Sequence, residues 1–188
     1  MNNPATGMNY EALDVYQKNI LKTIFITSMR GTTSSLEVLS EDLTLSLNYV
    51  IQICNELADL GIISKKNGNW VLTELGRKQI VVVLAGGVFD IIHPGHLFTL
   101  SSAKKLGDIL VISIAKDETV KKLKNRYPLN REEMRQKLVG SLRVVDLALL
   151  GGTTNMFKMI ETVRPNVIAL GYDQKHDTDE LIKESNRR

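Results

Sequence analysis

Three histidines occur in this 188-residue chain, and two of them, His93 and His96, stand one helical turn apart behind an apolar run and a pair of glycines. Residues 80–84 are short, β-branched and apolar, which reads as a buried strand. Gly86 and Gly87 then let the backbone turn sharply and pass close to a ligand. Pro94 suits the first turn of a helix, where its missing N–H costs no hydrogen bond and its φ is already set. His93 falls at the cap of that helix with His96 behind it, so both rings project from one side. The N–H groups and partial positive charge of a helix start suit a phosphate. Two imidazoles there add donors that can follow charge developing on a reacting phosphoryl group. The chemistry is phosphate handling. Two other readings of the pair stay open: histidines without a chemical role, and a metal site, though no Cys, Glu or third His lies nearby to complete a ligand set.

Alternating elements must hold these residues in place. A strand over 80–85 leads to a helix over 94–106, a strand over 109–114 and a helical stretch over 116–124. Asn130 caps a further helix to 142, with Glu133 completing a capping box. A strand over 144–150, a helix over 154–163, a strand over 166–170 and a helix from about 177 follow. Such alternation specifies an α/β fold, a Rossmann-like doubly wound parallel sheet covered on both faces. Ligands of these sheets bind beyond the carboxyl ends of the strands, where the histidine loop falls.

The first 78 residues follow a different plan. Residues 1–7 are polar and read as a frayed end. Apolar residues recur at helical spacing over 10–27, and Ser35 caps a short helix to 42. A third helix, from about 44–46, shows Leu47, Val50, Ile51, Cys54, Leu57 and Ala58 on one face, and Gly61 ends it. Asn67 and Gly68 between two short strands are a strong hairpin signal. Three helices and a hairpin predict a small winged helix-turn-helix domain over 8–78, ahead of the α/β domain over 79–188. A DNA contact would use Asn48, Tyr49 and Gln52 on the third helix with Lys65 and Lys66 in the wing. Against it, that helix carries no Lys or Arg, and the domain holds seven basic and eight acidic residues. Phosphate neutralisation supplies most non-specific DNA affinity. The alternative is a module for dimerisation or protein contact.

The remainder of the chain holds seventeen basic and thirteen acidic residues, so the positive excess sits with the histidine motif, as an anionic substrate wants. An apolar fraction of 43% and a charged fraction of 24% are those of an ordinary globular protein. No apolar run approaches the ~20 residues needed to cross a bilayer, and no signal-peptide pattern opens the chain. Cys54 is the single cysteine, so no intrachain disulfide forms. The expected location is the cytoplasm, with no membrane partner.

Gly87, Val88, Phe89 and Asp90 followed by His93, Pro94, Gly95 and His96 match a GxFDxxHxGH signature. On these residues the chain resembles the cytidylyltransferase-like branch of the nucleotidyltransferase superfamily, over about residues 81–184. The resemblance implies attack of a substrate phosphate on the α-phosphorus of a nucleoside triphosphate, with Mg2+ on the triphosphate and pyrophosphate as the leaving group. Positioning and charge stabilisation do most of the work in such transfer. It assigns His93 and His96 to the triphosphate, with Gly86, Gly87, Val88, Phe89 and Gly95 lining the nucleotide pocket. Asp90 either holds the loop or touches the cation. Of the run Lys121, Lys122 and Lys124, Lys124 and then Lys121 are implied against the phosphates, although a charge run is ordinarily a solvated face. Arg135 matches the family's catalytic arginine, and Arg131 stands one turn ahead of it. An arginine fork suits a phosphate better than a lysine.

Leu170, Gly171, Tyr172 and Asp173 are implied at base and ribose, with Lys175 and His176 on the acceptor. The segment from Gln174 to Asp177 is similar to archaeal FAD synthases, which transfer AMP from ATP to FMN. Glycerol-phosphate cytidylyltransferases, using CTP and a small phospho-alcohol, are the alternative within enzymes. A transcription regulator that senses a nucleotide or flavin is the alternative of another class. The family's fifth strand and its ISTT-like segment have no counterpart before Arg188, which points to truncation, a partner-supplied part or lost catalysis. A homodimer is the expected assembly.

Overall fold

The computed structural model describes residues 12–152 and 156–171. Its contacts divide the chain into two units, one ending at Ile80 and the other beginning at Val81.

In the first unit, Asp14 caps α1 (Val15–Arg30) through a reciprocal capping box with Gln17, which sets the start later than apolar spacing alone suggests. Ser35 caps α2 (Leu36–Leu43) and Ser46 caps α3 (Leu47–Asp59). The buried face of α3 is Val50, Ile53, Cys54 and Leu57. Leu47, expected on that face, is 40% exposed, and Ile53, which was not expected there, is buried. Strands β1 (Ile63–Lys66) and β2 (Asn69–Leu72) pair antiparallel with Lys66 opposite Asn69. Both residues of the connecting turn have positive φ, 49° at Asn67 and 80° at Gly68, the pairing a tight two-residue hairpin requires. Thr73 caps the short α4 (Glu74–Arg77).

Cys54 is fully buried among these helices, and burial pushes its thiol up to about 11 against a weaker opposing pull from Lys65. The thiolate is the reacting species, so a thiol reagent added without denaturant is expected to leave Cys54 unlabelled while an unfolded control reacts. Rapid stoichiometric labelling of the native protein would contradict this placement.

The second unit alternates from β3 (Val82–Gly87) through α5 (Pro94–Lys104), β4 (Ile109–Ile114), α6 (Asp117–Lys124), α7 (Glu132–Gly140), β5 (Leu147–Leu150) and α8 (Met156–Val163) to β6 (Val167–Ala169). Its four strands are all parallel, in the order β5-β4-β3-β6. This is an α/β Rossmann-like sheet. Its core holds Val83, Ala85, Phe89, Leu100, Leu110 and Ile112 among other apolar residues. β3 pairs with β4 on one side and β6 on the other, so the connection reverses beside β3. The loops leaving β3 and β6 flank the crevice such a reversal opens.

Two local expectations changed. α7 begins at Glu132 with Arg131 at its cap, because the Asn130 amide donates to Asp90 O at 2.9 Å instead of capping the helix. β5 begins at Leu147, because the chain before it is taken into a turn that the Val145 N–H closes on Leu142 O at 2.9 Å. The helix expected from 177 lies outside the described residues. Among those described, no helix is long and apolar enough to cross a membrane.

Candidate active site

Where β3 ends, the backbone bends around one buried aromatic ring. Phe89 has φ 52° and is 7% exposed, its ring folded back into the core. A Cβ on Gly87 would lie 2.6 Å from that ring, so only glycine admits it. The Gly87 carbonyl accepts from Ala115 N at 2.9 Å, which ties the turn to the end of β4. His93 caps α5 with extended backbone and leaves the cap to its main chain, since its ring makes no capping hydrogen bond and Pro94 follows. His96 sits one turn in. The two imidazoles lie 4.0 Å apart by ring centre, tilted by 34°, and the Phe89 ring backs His96 at 5.2 Å. Gly95 leaves space for this: a Cβ there would stand 3.0 Å from the His93 ring. Two N–H-bearing rings are thus stacked over the positive end of an eleven-residue helix at the sheet's carboxyl edge.

Asp90 is bonded to the segment before α7. Its carboxylate accepts from Leu129 N at 2.9 Å and Asn130 N at 3.0 Å, with Arg126 Nη1 at 3.8 Å. Partial burial pushes this carboxyl up, but the Asn130 and Leu129 N–H groups and the Arg126 and Arg135 charges outweigh it, so its pKa lies below the ordinary value. These bonds hold the loop before α7, which is one of the two roles expected of Asp90.

Arg135 is placed otherwise than expected. Its side chain is fully buried, and the fork is spent inside the protein. Nε donates to Asn130 O at 2.9 Å, Nη1 to Val88 O at 2.6 Å, and Nη2 to Ala115 O and to Asp117 Oδ1, each at 2.7 Å. A group so engaged holds loops together and does not present its fork to a phosphate. Arg131, by contrast, is exposed at the start of α7.

The α6 lysines differ among themselves. Lys121 is half-buried, with Nζ 3.3 Å from Asn125 O and 5.4 Å from the Tyr127 ring centre, while Lys124 is exposed in the last turn. The register of β6 on β3 pairs Ala169 with Ala85, so Leu170 and Gly171 continue alongside Gly86 and Gly87. Tyr172, Asp173, Lys175 and His176 lie outside the described residues. The structure therefore gathers His93, His96, Gly86, Gly87, Leu170 and Gly171 at the carboxyl edge of the sheet, with Lys121 and Lys124 on α6, the helix that follows β4, and Arg131 at the cap of α7.

A family model described as cytidylyltransferase-like matches residues 84–187. The chain belongs to the cytidylyltransferase-like family. A protein named FAD synthase from Aciduliprofundum boonei is 50% identical over 109 residues, covering 58% of this chain and 72% of that protein. Another FAD synthase, from Methanothermobacter marburgensis, is 49% identical over 115 residues, or 60% and 71% of the two chains. A solved structure titled as the lipopolysaccharide core biosynthesis protein from Thermoplasma volcanium aligns with a TM-score of 0.55 at 44% identity, covering 57% of this chain and 88% of that one.

The cytidylyltransferase-like match begins inside β3, so the first unit and its candidate DNA contacts lie outside it. There, Asn48 and Gln52 are exposed on α3, and Gln52 donates to Glu56 at 2.9 Å. Tyr49 is half-buried, its ring edge-on to Tyr16 at 5.6 Å. Lys65 and Lys66 are exposed on β1, with Lys65 Nζ 5.4 Å from the Trp70 ring centre.

The sequence reading missed Asp117 and Glu132, and gave Asn130 a helix-capping role that it does not have. The signal for Asp117 and Glu132 was slight: a Glu and an Arg at i and i+3 on α7, and an acidic residue opening α6, three positions after β4 ends.

Proposed function

We propose that this chain is an FMN adenylyltransferase. In this reading an oxygen of the FMN phosphate attacks the α-phosphorus of ATP, a new P–O–P bridge forms, the α–β anhydride breaks, and pyrophosphate leaves with FAD as product. The observation that carries the reading is the 50% identity to a protein named FAD synthase across the stretch that holds the histidine loop. The geometry supports it. His93 and His96 donate N–H groups to the phosphate oxygens from the start of α5, while the glycines of β3 and the Leu170–Gly171 backbone border the nucleotide. Lys121, Lys124 and Arg131 supply charge toward the acceptor phosphate.

Mg2+ accompanies the triphosphate in this proposal. Asp90 accepts two backbone N–H bonds, and no group of three His, Cys, Asp or Glu among the described residues is placed to hold a cation. The triphosphate oxygens would carry the ion in this reading. Bound there, it would neutralise charge on the departing pyrophosphate.

The first unit supports a winged helix-turn-helix reading through its order of three helices and an antiparallel hairpin, with domains over 8–78 and 79–188. No DNA contact is assigned to it, because α3 carries no Lys or Arg and Glu56 lies against Gln52 on its exposed face.

Incubation of the protein with FMN, Mg2+ and each nucleoside triphosphate in turn, followed by pyrophosphate release, tests the reading. ATP alone is expected to yield pyrophosphate and FAD. Turnover with CTP and glycerol 3-phosphate but not with ATP and FMN would replace it by the cytidylyltransferase alternative.

A further inference from the structure

We infer that Glu132 and Arg135 act together as a positioning clamp, which sets the start of α6 against the histidine loop. This rests on the FMN adenylyltransferase reading, in which α6 carries acceptor-side lysines. Helix α6 begins without a side-chain cap, since its N-cap residue Lys116 makes no such bond. An uncapped first turn leaves N–H groups unsatisfied. Glu132, from the following helix, meets one of them: the Asp117 N–H donates to its Oε2 at 2.6 Å. One turn further along α7, Arg135 takes the other end of the same residue, donating to Asp117 Oδ1 at 2.7 Å. Asp117 is thus gripped at backbone and side chain by two residues on one face of α7.

The grip continues toward the chemistry. Through Nη2 Arg135 also holds Ala115 O, and through Nη1 it holds Val88 O at 2.6 Å, the carbonyl next to Phe89 in the signature loop. One guanidinium therefore spans the loop after β3 and the loop after β4. Its planar fork keeps several donors in fixed directions, which a lysine ammonium cannot. Lys121 lies one turn beyond Asp117 on α6, so a shift at the helix start moves its Nζ relative to His93 and His96. In phosphoryl transfer, where positioning supplies most of the rate, such a shift is costly. Arg135 and Glu132 are positioning residues here, for neither offers a group to the substrate.

The test is Glu132→Ala in the full chain, assayed with ATP and FMN. Glu132 sits at a helix start and not in the core, and kcat/KM for FMN is expected to fall by about tenfold or more. The KM for ATP should stay within about twofold, because the β3 loop that borders the nucleotide keeps Arg135. Glu132→Gln retains an oxygen for the Asp117 N–H and should recover most of the loss. Combining Glu132→Ala with Lys121→Ala should give less than the product of the separate losses, since both act through one helix position. Wild-type constants for Glu132→Ala, an equal loss toward both substrates, or full additivity with Lys121→Ala would each overturn the inference. Should the alanine variant not fold, Glu132→Asp, which withdraws the oxygen by one methylene, is read against the same outcomes. A wild-type protein that turns over neither substrate pair would defeat the proposed function instead. The clamp is then read by hydrogen exchange at the Asp117 amide, faster in Glu132→Ala if it holds and unchanged if it does not.

Discussion

Replacing His93 or His96 with alanine is expected to lower kcat for nucleotidyl transfer by about 10²–10³, the loss typical of one donor aimed at a developing oxyanion. The expectation follows from where the rings stand. Both sit at the first turn of α5 with ring centres 4.0 Å apart, so in the proposed reaction either one would share a phosphate with the other and with the helix start. A donor that strengthens as charge moves onto the phosphoryl oxygens acts on kcat more than on KM for ATP. The double variant should lose less than the product of the single losses, because residues that act as a unit are not additive. Folding should be spared: His93 is exposed and makes no capping bond, and Phe89 keeps the loop in the core without either imidazole. Far-UV circular dichroism and a thermal scan establish that, and steady-state kinetics then read the chemistry. A single variant that turns over at close to the wild-type rate removes its histidine from the mechanism.

What the sequence disclosed was local. Asn67 and Gly68 specify their turn because only a few residues tolerate positive φ twice in succession, and β4 was legible because its apolar run is bounded by Asp108 and Lys116. The histidine loop was legible for the same reason, its glycines, proline and two imidazoles all lying within ten or so residues. The parts that escaped depend on distant partners. Arg135 reads as a phosphate ligand from its neighbours in sequence, and only the fold brings it to Val88, 47 positions away, and Ala115, 20 away. Asn130 reads as a helix cap until Asp90, 40 positions earlier, takes its side chain and its N–H. Such choices are decided by which acceptor is in reach after the chain has packed, and helical or strand periodicity carries no trace of them. The face of α3 failed more mildly. Apolar residues at Leu47, Ile51 and Ile53 compete for one stripe, and packing against α1 and α2 decides which turn inward.

The correction at Arg135 changes what its removal does. Were it a catalytic fork at an open cleft, Arg135→Ala would fold normally and lose rate. Placed as it is, the substitution strips donors from the carbonyls of Val88, Ala115 and Asn130 and leaves the Asp117 carboxylate facing a vacated space. Removing one partner of a buried ion pair costs about 3–5 kcal/mol, and the 26% exposure of the Asp117 side chain favours the lower end. For a unit of this size each kcal/mol moves the melting midpoint by about 4–8 °C, so a fall of roughly 12–24 °C is expected. Arg135→Lys should fall between, because one ammonium cannot reach acceptors spread over three segments. Trp70, the chain's single tryptophan, belongs to the first unit. Its fluorescence therefore reports on that unit, while circular dichroism sums the helices and strands of both, so a loss seen by dichroism and not by fluorescence belongs to the second unit. If Arg135→Ala melts within a few degrees of the wild type and only its rate is lost, the guanidinium serves the substrate after all, and its place as the brace between the β3 and β4 loops has to be given up.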